Sequence, residues 1–354
     1  MNASKRNEIL TDTPSKNGSL LFKSDISIKE AFEHYDKDKN GRLMRSEFDN
    51  ILTDLFRDAF GNPHSIDSVK ATDMYSIFSK KGEIKLEEFE LSWNCWIKTV
   101  LRPVSAFVVI DVQNDFITGA LPLKDYPAKE DGADVVPVVN KLLETVPFDN
   151  IFYTQDWHPN DHISFFDNLN LPGREFAEDS PIQTKSYVAL FDEVIFKGPP
   201  KTKQKLWPRH CVQESEGAKL HKDLLVHRLG QMIRKGSDPK IDSYSAFFDN
   251  EKLAKTDLDD LLKAKGVTDV YTSGIATDVC VSHTSNDAQD LGYRTILIQD
   301  ASKGIIPEAI SDAKDSIRAN NGLVVDAKDV KDIVQGLNRP FELGYAKALQ
   351  CKMK

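Results

Sequence analysis

Apolar residues in the first hundred positions recur with helical spacing. Ile28, Ala31, Phe32 and Tyr35 fall on one face of a 3.6-residue repeat, and Ser27 with Glu30 supplies a capping box at its start. The same spacing returns in Phe48, Ile51, Leu52 and Leu55, more weakly in Met74, Ile77 and Phe78, and finally in Phe89, Trp93, Trp96, Ile97 and Val100. The pattern predicts helix, loop, helix, twice over, within residues 25–100. Residues 1–24 are rich in Asn, Ser, Thr and Lys with little to bury, so a disordered lead-in is expected there.

Beyond Arg102-Pro103 the period changes. Short β-rich runs (Ala106–Ile110, Ile151–Tyr153, Val270-Tyr271, Thr295–Ile298, Leu323–Val325) alternate with helical segments. This alternation predicts an α/β fold over residues 103–338, a doubly wound, mostly parallel sheet with helices on both faces. Leu253, Leu258, Leu261 and Leu262 lead into Gly266, and Val281, Ala288 and Leu291 into Gly292; each glycine suits a left-handed helix cap. The stretch from Phe166 to Leu206, with Lys197-Gly198-Pro199-Pro200, reads as an inserted loop, either a lid or a solvated excursion. Residues 339–354 are short and basic, a docked helix or a tail.

A length of 354 residues fits two folded units. The net charge of -9 argues against a nucleic-acid or anionic-membrane partner and leaves small neutral substrates as the better fit. No apolar run approaches the ~18 residues of a membrane span, and the polar start lacks a signal peptide's apolar core. A cytoplasmic location is expected. The four cysteines (Cys95, Cys211, Cys280, Cys351) are widely scattered, so reduced thiols are expected, with Cys95 and Cys211 as core packing.

The loop from Asp36 to Glu47 carries oxygen-bearing residues at positions 1, 3, 5 and 12 and glycine at position 6. Asp36, Asp38, Asn40 and a bidentate Glu47, with the Arg42 carbonyl, match an EF-hand calcium loop, and Gly41 matches its sharp turn. A second copy aligns Gly82, Ile84, Glu88 and Phe89 with Gly41, Leu43, Glu47 and Phe48. Its first, third and fifth positions are Ile77, Ser79 and Lys81, so one calcium ion is expected rather than two.

In the larger unit, one strand runs into Asp111-Val112-Gln113-Asn114-Asp115-Phe116, which puts Asp111 at a C-terminal strand end, where such sheets bind ligands. Asp156-Trp157-His158 follows the next strand, and His210 lies in Trp207-Pro208-Arg209-His210-Cys211. An Asp and a His two residues apart can face one cation, and a distant His can complete a set suited to zinc, iron or manganese. Lys235-Gly236 follows a short apolar stretch. Cys280 opens a helix after Gly274-Ile275-Ala276-Thr277-Asp278-Val279, a position that favours thiolate.

Together these five motifs, in order and approximate spacing, resemble the nicotinamidases of the isochorismatase-like superfamily over residues 103–335. With the EF-hand pair in front, the chain is similar to the calcium-loop-bearing members from animals. The resemblance implies nicotinamide hydrolysis to nicotinate and ammonia in NAD salvage. In it Cys280 is the nucleophile, Asp111 its base and Lys235 the group that holds the ionised pair. It further implies an oxyanion site of Ala276 and Cys280 N–H groups, a cis Ile275–Ala276 peptide, and a metal at Asp156, His158 and His210 that binds the pyridine nitrogen and water, with His162 as a fourth candidate ligand. Phe116, Trp207 and Tyr244 match its aromatic walls. Val279 departs from the aromatic residue of several relatives.

The alternatives are another amidase of the superfamily with a ureido or N-carbamoyl substrate, an isochorismate ether hydrolase, and a calcium sensor with an inactive hydrolase unit. Fusion to a calcium loop also motivates calcium modulation. Oligomeric state, including a homo-oligomer, stays open at this level.

Overall fold

The computed structural model describes Leu21 and residues 26–351. The expected lead-in therefore lies almost wholly outside the described residues; Leu21 itself is buried in the core of the helical unit.

Four helices form that unit: α1 (Ile28–Tyr35), α2 (Arg45–Leu55), α3 (Ser68–Phe78) and α4 (Leu86–Ser92), the last continuing through Trp93–Ile97 to Lys98–Leu101. Ser27 and Glu30 cap α1 reciprocally: the Glu30 N–H donates to Ser27 Oγ (3.2 Å) and the Ser27 N–H to Glu30 Oε2 (2.9 Å). The two inter-helix loops are joined back to back, because Leu43 and Ile84 exchange both backbone hydrogen bonds, 2.7 and 3.0 Å. Each sits two residues after a glycine with φ 78°. Phe32, Phe48, Phe78, Phe89 and Trp96 close the core between the helices.

The larger unit is a six-stranded, all-parallel sheet in the order β5-β2-β1-β6-β7-β8. Its strands are β1 (Ser105–Ile110), β2 (Asn150–Asp156), β5 (Gln231–Lys235), β6 (Asp269–Ile275), β7 (Arg294–Lys303) and β8 (Leu323–Val325); β3 (Glu193–Phe196) and β4 (Thr202–Lys205) form a separate hairpin. Alternation along β1 divides the core. Phe107 and Val109 face α5 (Val135–Thr145) and α9 (Ala327–Val334), whereas Ala106, Val108 and Ile110 face α6 (Leu258–Ala264), α7 (Ser282–Asp290) and α8 (Pro307–Ala319). The chain leaves β1 toward β2 on one side and returns to β6 on the other. That reversal opens a crevice at the C-terminal ends of β1, β2 and β6.

Three expectations are corrected. Cys95 and Cys351 are joined as a disulfide across 256 positions; only Cys211 and Cys280 are free. Leu253 is exposed and precedes α6, whose first residue is Leu258, because Asp257 and Thr256 start the helix there. The stretch 166–206 is not simply solvated: its hairpin buries Val194, Phe196 and Leu206 against Ile163, Leu169 and Val188.

The C-terminal segment forms α10 (Phe341–Gln350), packed on the helical unit. Trp96 Nε1 donates to the Gly344 carbonyl (3.0 Å), Tyr345 Oη to Asp73 Oδ2 (2.7 Å), and Phe341 meets Phe56 edge-on. Arg294, at the start of β7, pairs with Asp269 at the start of β6 and donates to the Thr99 carbonyl (3.4 Å). The helical unit thus abuts the N-terminal ends of the strands, opposite the crevice. Among the described residues, no helix is long and apolar enough to cross a membrane.

Candidate functional site

Each strand beside the crevice delivers one polar group at its C-terminal end. β1 is followed by Asp111, β2 ends on Asp156, β5 ends on Lys235, and β6 leads through the cis Ile275–Ala276 peptide into a π-helical turn, Thr277–Val281, that holds Cys280. All four side chains are buried. Asp111 has φ 48°, a left-handed conformation uncommon outside glycine. The neighbouring strand accommodates it closely. Gly274 (φ 120°) lies so near Ile110 that a Cβ would overlap the Ile110 carbonyl oxygen.

Lys235 is the hub. Its Nζ lies 2.9 Å from Asp111 Oδ2, contacts Asp156 Oδ1, and donates to the Ser243 carbonyl (3.0 Å) and Cys280 Sγ (3.3 Å). Burial alone would lower its pKa, but the Asp111 and Asp156 carboxylates outweigh burial and raise it, so the ammonium persists. Burial drives the Asp111 carboxyl upward, against the pull of Lys235.

Burial likewise pushes the Cys280 thiol well above its ordinary value, although Lys235 acts in the other direction. Desolvation of the buried sulfur exceeds the help of a helix start and one ammonium. A base beside the sulfur is then required for it to react.

On the other side of Asp156 stand two imidazoles. His158 Nδ1 bonds the Gly236 carbonyl (2.8 Å) and His210 Nδ1 the Pro208 carbonyl (2.7 Å), so each ring is anchored by one nitrogen. The Nε2 atoms face Asp156 Oδ2 at 3.5 and 3.9 Å. One ligand atom from each of Asp156, His158 and His210 falls within 4.8 Å of the others. Carbonyl-anchored rings presenting Nε2 to one carboxylate form a donor set that fits a divalent transition metal. Burial and the neighbouring His158 hold His210 down to about 4, so it is available as a neutral ligand. Gly236 (φ 65°) is needed there, since a Cβ would enter the His158 ring.

His162 stacks on His158 with ring centroids 4.0 Å apart, but its Nδ1 is engaged by Ser164 Oγ (2.7 Å) and its Nε2 lies 3.9 Å from Asp242 Oδ1. It borders the Asp156 group rather than joining it.

Asp156, His158, His210 and Cys280 line one partly open cavity. Phe116, Trp207 and Tyr244 line it together with Ala276 and Cys280, and Trp207 Nε1 donates to Tyr244 Oη (3.2 Å). Leu121, Leu123, Asp242 and Ile305 also line it, and sequence reasoning missed them. Asp242 and Ile305 follow no motif, while the Leu-Pro-Leu run after Phe116 is the one local signal for the two leucines.

The isochorismatase domain matches residues 105–329, leaving the helical unit outside. The nicotinamidase of Escherichia coli is 35% identical over 205 residues, 57% of this chain and 84% of that protein. The nicotinamidase of Schizosaccharomyces pombe is 33% identical over 226 residues, 63% and 94% of the two chains. Among solved structures, a nicotinamidase and pyrazinamidase of Acinetobacter baumanii has a TM-score of 0.54 at 35% identity, covering 64% of this chain and 98% of its own. The yeast nicotinamidase bound to the inhibitor nicotinaldehyde gives 0.53 at 28%, covering 63% and 99%. Matched over most of its length by that domain, the chain belongs to the isochorismatase family.

Proposed function

We propose that this protein is a nicotinamidase, an amidohydrolase that converts nicotinamide to nicotinate and ammonia through a thioester on Cys280. The observation that carries this reading is the convergence of Asp111 and Lys235 on Cys280, which lines one cavity with the Asp156, His158 and His210 donor set. Relatives named nicotinamidase that are 33–35% identical over 84–94% of their own length support it.

Asp111 takes the proton of the Cys280 thiol, and Lys235 stabilises the resulting charges. The sulfur attacks the carboxamide carbon. N–H groups of Ala276 and Cys280 receive the charge that develops on oxygen. Asp111 returns its proton to the departing nitrogen, ammonia leaves, and water then hydrolyses the thioester with Asp111 again as base. Phe116, Trp207 and Tyr244 flank the ring. Asp156, His158 and His210 would hold one zinc, iron or manganese ion, which when bound supplies a Lewis acid toward the ring nitrogen.

We also propose that residues 25–100 are an EF-hand pair with one calcium, held by Asp36, Asp38, Asn40, Glu47 and the Arg42 carbonyl. Carboxylate oxygens of Asp36, Asp38 and Glu47 lie within 4.8 Å of one another. In the second loop Lys80 Nζ sits 3.1 Å from Glu88 Oε1, an ammonium against the carboxylate that would otherwise ligate. Because this unit meets the strands at their N-terminal ends, the reading favoured is calcium acting on stability, not on the chemical step.

The test is ammonia release by the purified, metal-analysed protein from nicotinamide and from N-carbamoyl and ureido compounds. Turnover of nicotinamide with about one transition metal per chain is expected. Metal-free protein active only on the ureido or N-carbamoyl compounds would overturn the assignment.

A further inference from the structure

Thr154 lies on β2, two residues before Asp156, and is fully buried. Its hydroxyl makes two hydrogen bonds to a single residue. The Asp111 N–H donates to Thr154 Oγ1 (3.1 Å), and Thr154 Oγ1 donates to Asp111 Oδ1 (2.5 Å). A hydroxyl carries one proton. With the backbone N–H filling an acceptor site, that proton is committed to Oδ1, at the short distance of a charge-assisted bond.

The two carboxylate oxygens are thereby made unequal. Oδ1 is held as an acceptor. Oδ2 is paired instead with the Lys235 ammonium at 2.9 Å, the same ammonium that lies 3.3 Å from Cys280 Sγ. One atom each from Asp111, Asp156 and Cys280 lies within 4.8 Å of the others. The β-branched Thr154 side chain has few rotamers, and its grip on both the N–H and the carboxylate fixes Asp111 in its left-handed conformation.

We propose that Thr154 is a positioning residue that directs the Cys280 proton to Oδ2 of Asp111. The inference rests on the reading of Asp111 as base. The proton passes from Cys280 Sγ to Oδ2 while the sulfur electron pair forms the bond to the carboxamide carbon and the carbonyl π pair moves onto oxygen. On collapse the carbon–nitrogen bond breaks, and the Oδ2 proton leaves with the nitrogen as ammonia. Without the hydroxyl, the carboxyl group can rotate and Oδ1 competes for the proton, which slows the step but leaves the ring-binding surfaces unchanged.

Steady-state ammonia release from nicotinamide by the full-length, metal-loaded protein tests this. Thr154→Val keeps the shape and removes the donor, so kcat should fall about 10- to 100-fold with KM within about twofold. Thr154→Ser keeps the donor and should remain within about threefold of the parent. Thr154→Cys, a weak donor of similar size, should fall between them and serves if the valine variant does not fold. An unchanged kcat in the valine or cysteine variant, a loss confined to KM, or a serine variant as slow as the valine one would overturn the proposal. Asp111→Asn separates the two levels. If it retains full kcat, the reading of Asp111 as base fails; if it is inactive while the valine variant is fully active, only the role of Thr154 fails.

Discussion

Lys235 Nζ lies 2.9 Å from Asp111 Oδ2 and 3.3 Å from Cys280 Sγ, so a single ammonium touches both partners of the proposed proton transfer. It also neutralises Asp156 in the same buried space. Replacing it with an apolar residue leaves two buried carboxylates without their shared ammonium. In metal-free Lys235→Met, unfolding free energy should fall by about 3–5 kcal/mol in urea titrations. In the metal-loaded variant kcat should drop at least ~100-fold. A variant of parental stability and activity would remove the ammonium from both roles.

His210 gives the acid response a definite sign. Burial and His158 hold it down to about 4 in the folded protein, against ~6.5 in the unfolded chain. Above ~6.5 it is neutral in both states. As pH falls from there toward about 4, the unfolded chain binds the proton and the folded one does not, so stability is lost. The metal-free parent should lose about 2 kcal/mol more than His210→Asn between pH 7 and pH 5. His158, whose burial is outweighed by Asp156 so that its pKa is raised, works in the opposite direction. The comparison with the variant isolates His210. Equal losses in the two proteins would contradict the prediction.

Calcium titration should give one equivalent per chain. At calcium a hundredfold above Kd, the helical unit should gain about 2.7 kcal/mol, read as a raised Tm. Glu47→Gln should abolish the shift and Glu88→Gln leave the stoichiometry alone. A calcium-selective chelator should leave kcat unchanged, because the loop lies on the side of the sheet away from Cys280. Two equivalents, or a change in kcat, would count against this reading.

The Cys95–Cys351 disulfide ties α10 to the helical unit. Cys351→Ser should cost about 2–5 kcal/mol in oxidised protein and nothing after both proteins are reduced with a dithiol. Thiol titration of the unfolded, unreduced parent should find two thiols, Cys211 and Cys280. Four thiols in that titration would show the pair to be open.

Much of this was legible because the chemistry sits at strand ends. A run of apolar residues ending in Asp111, or a strand and short turn ending in Cys280, marks a position on a parallel sheet without any knowledge of its neighbours. Pairing across distance was not legible. Thr154 reads as an ordinary β-branched strand residue until β1 is laid beside it. Asp242 follows no motif, and Cys95 and Cys351 are separated by 256 positions with nothing local to join them. The hairpin of β3 and β4 was hidden by its lysines and prolines, because only Val194, Phe196, Thr202 and Gln204 turn inward. How far burial opposes ionisation of Cys280 was not legible either. Position at a helix start is written in the sequence, but burial is not.

The most direct test of covalent catalysis at Cys280 is the rate of ammonia release from nicotinamide by Cys280→Ala with its metal content matched to the parent. A fall of at least ~1000-fold with folding and metal binding intact is the expected result. A rate comparable to the parent would contradict the assignment of Cys280 as nucleophile.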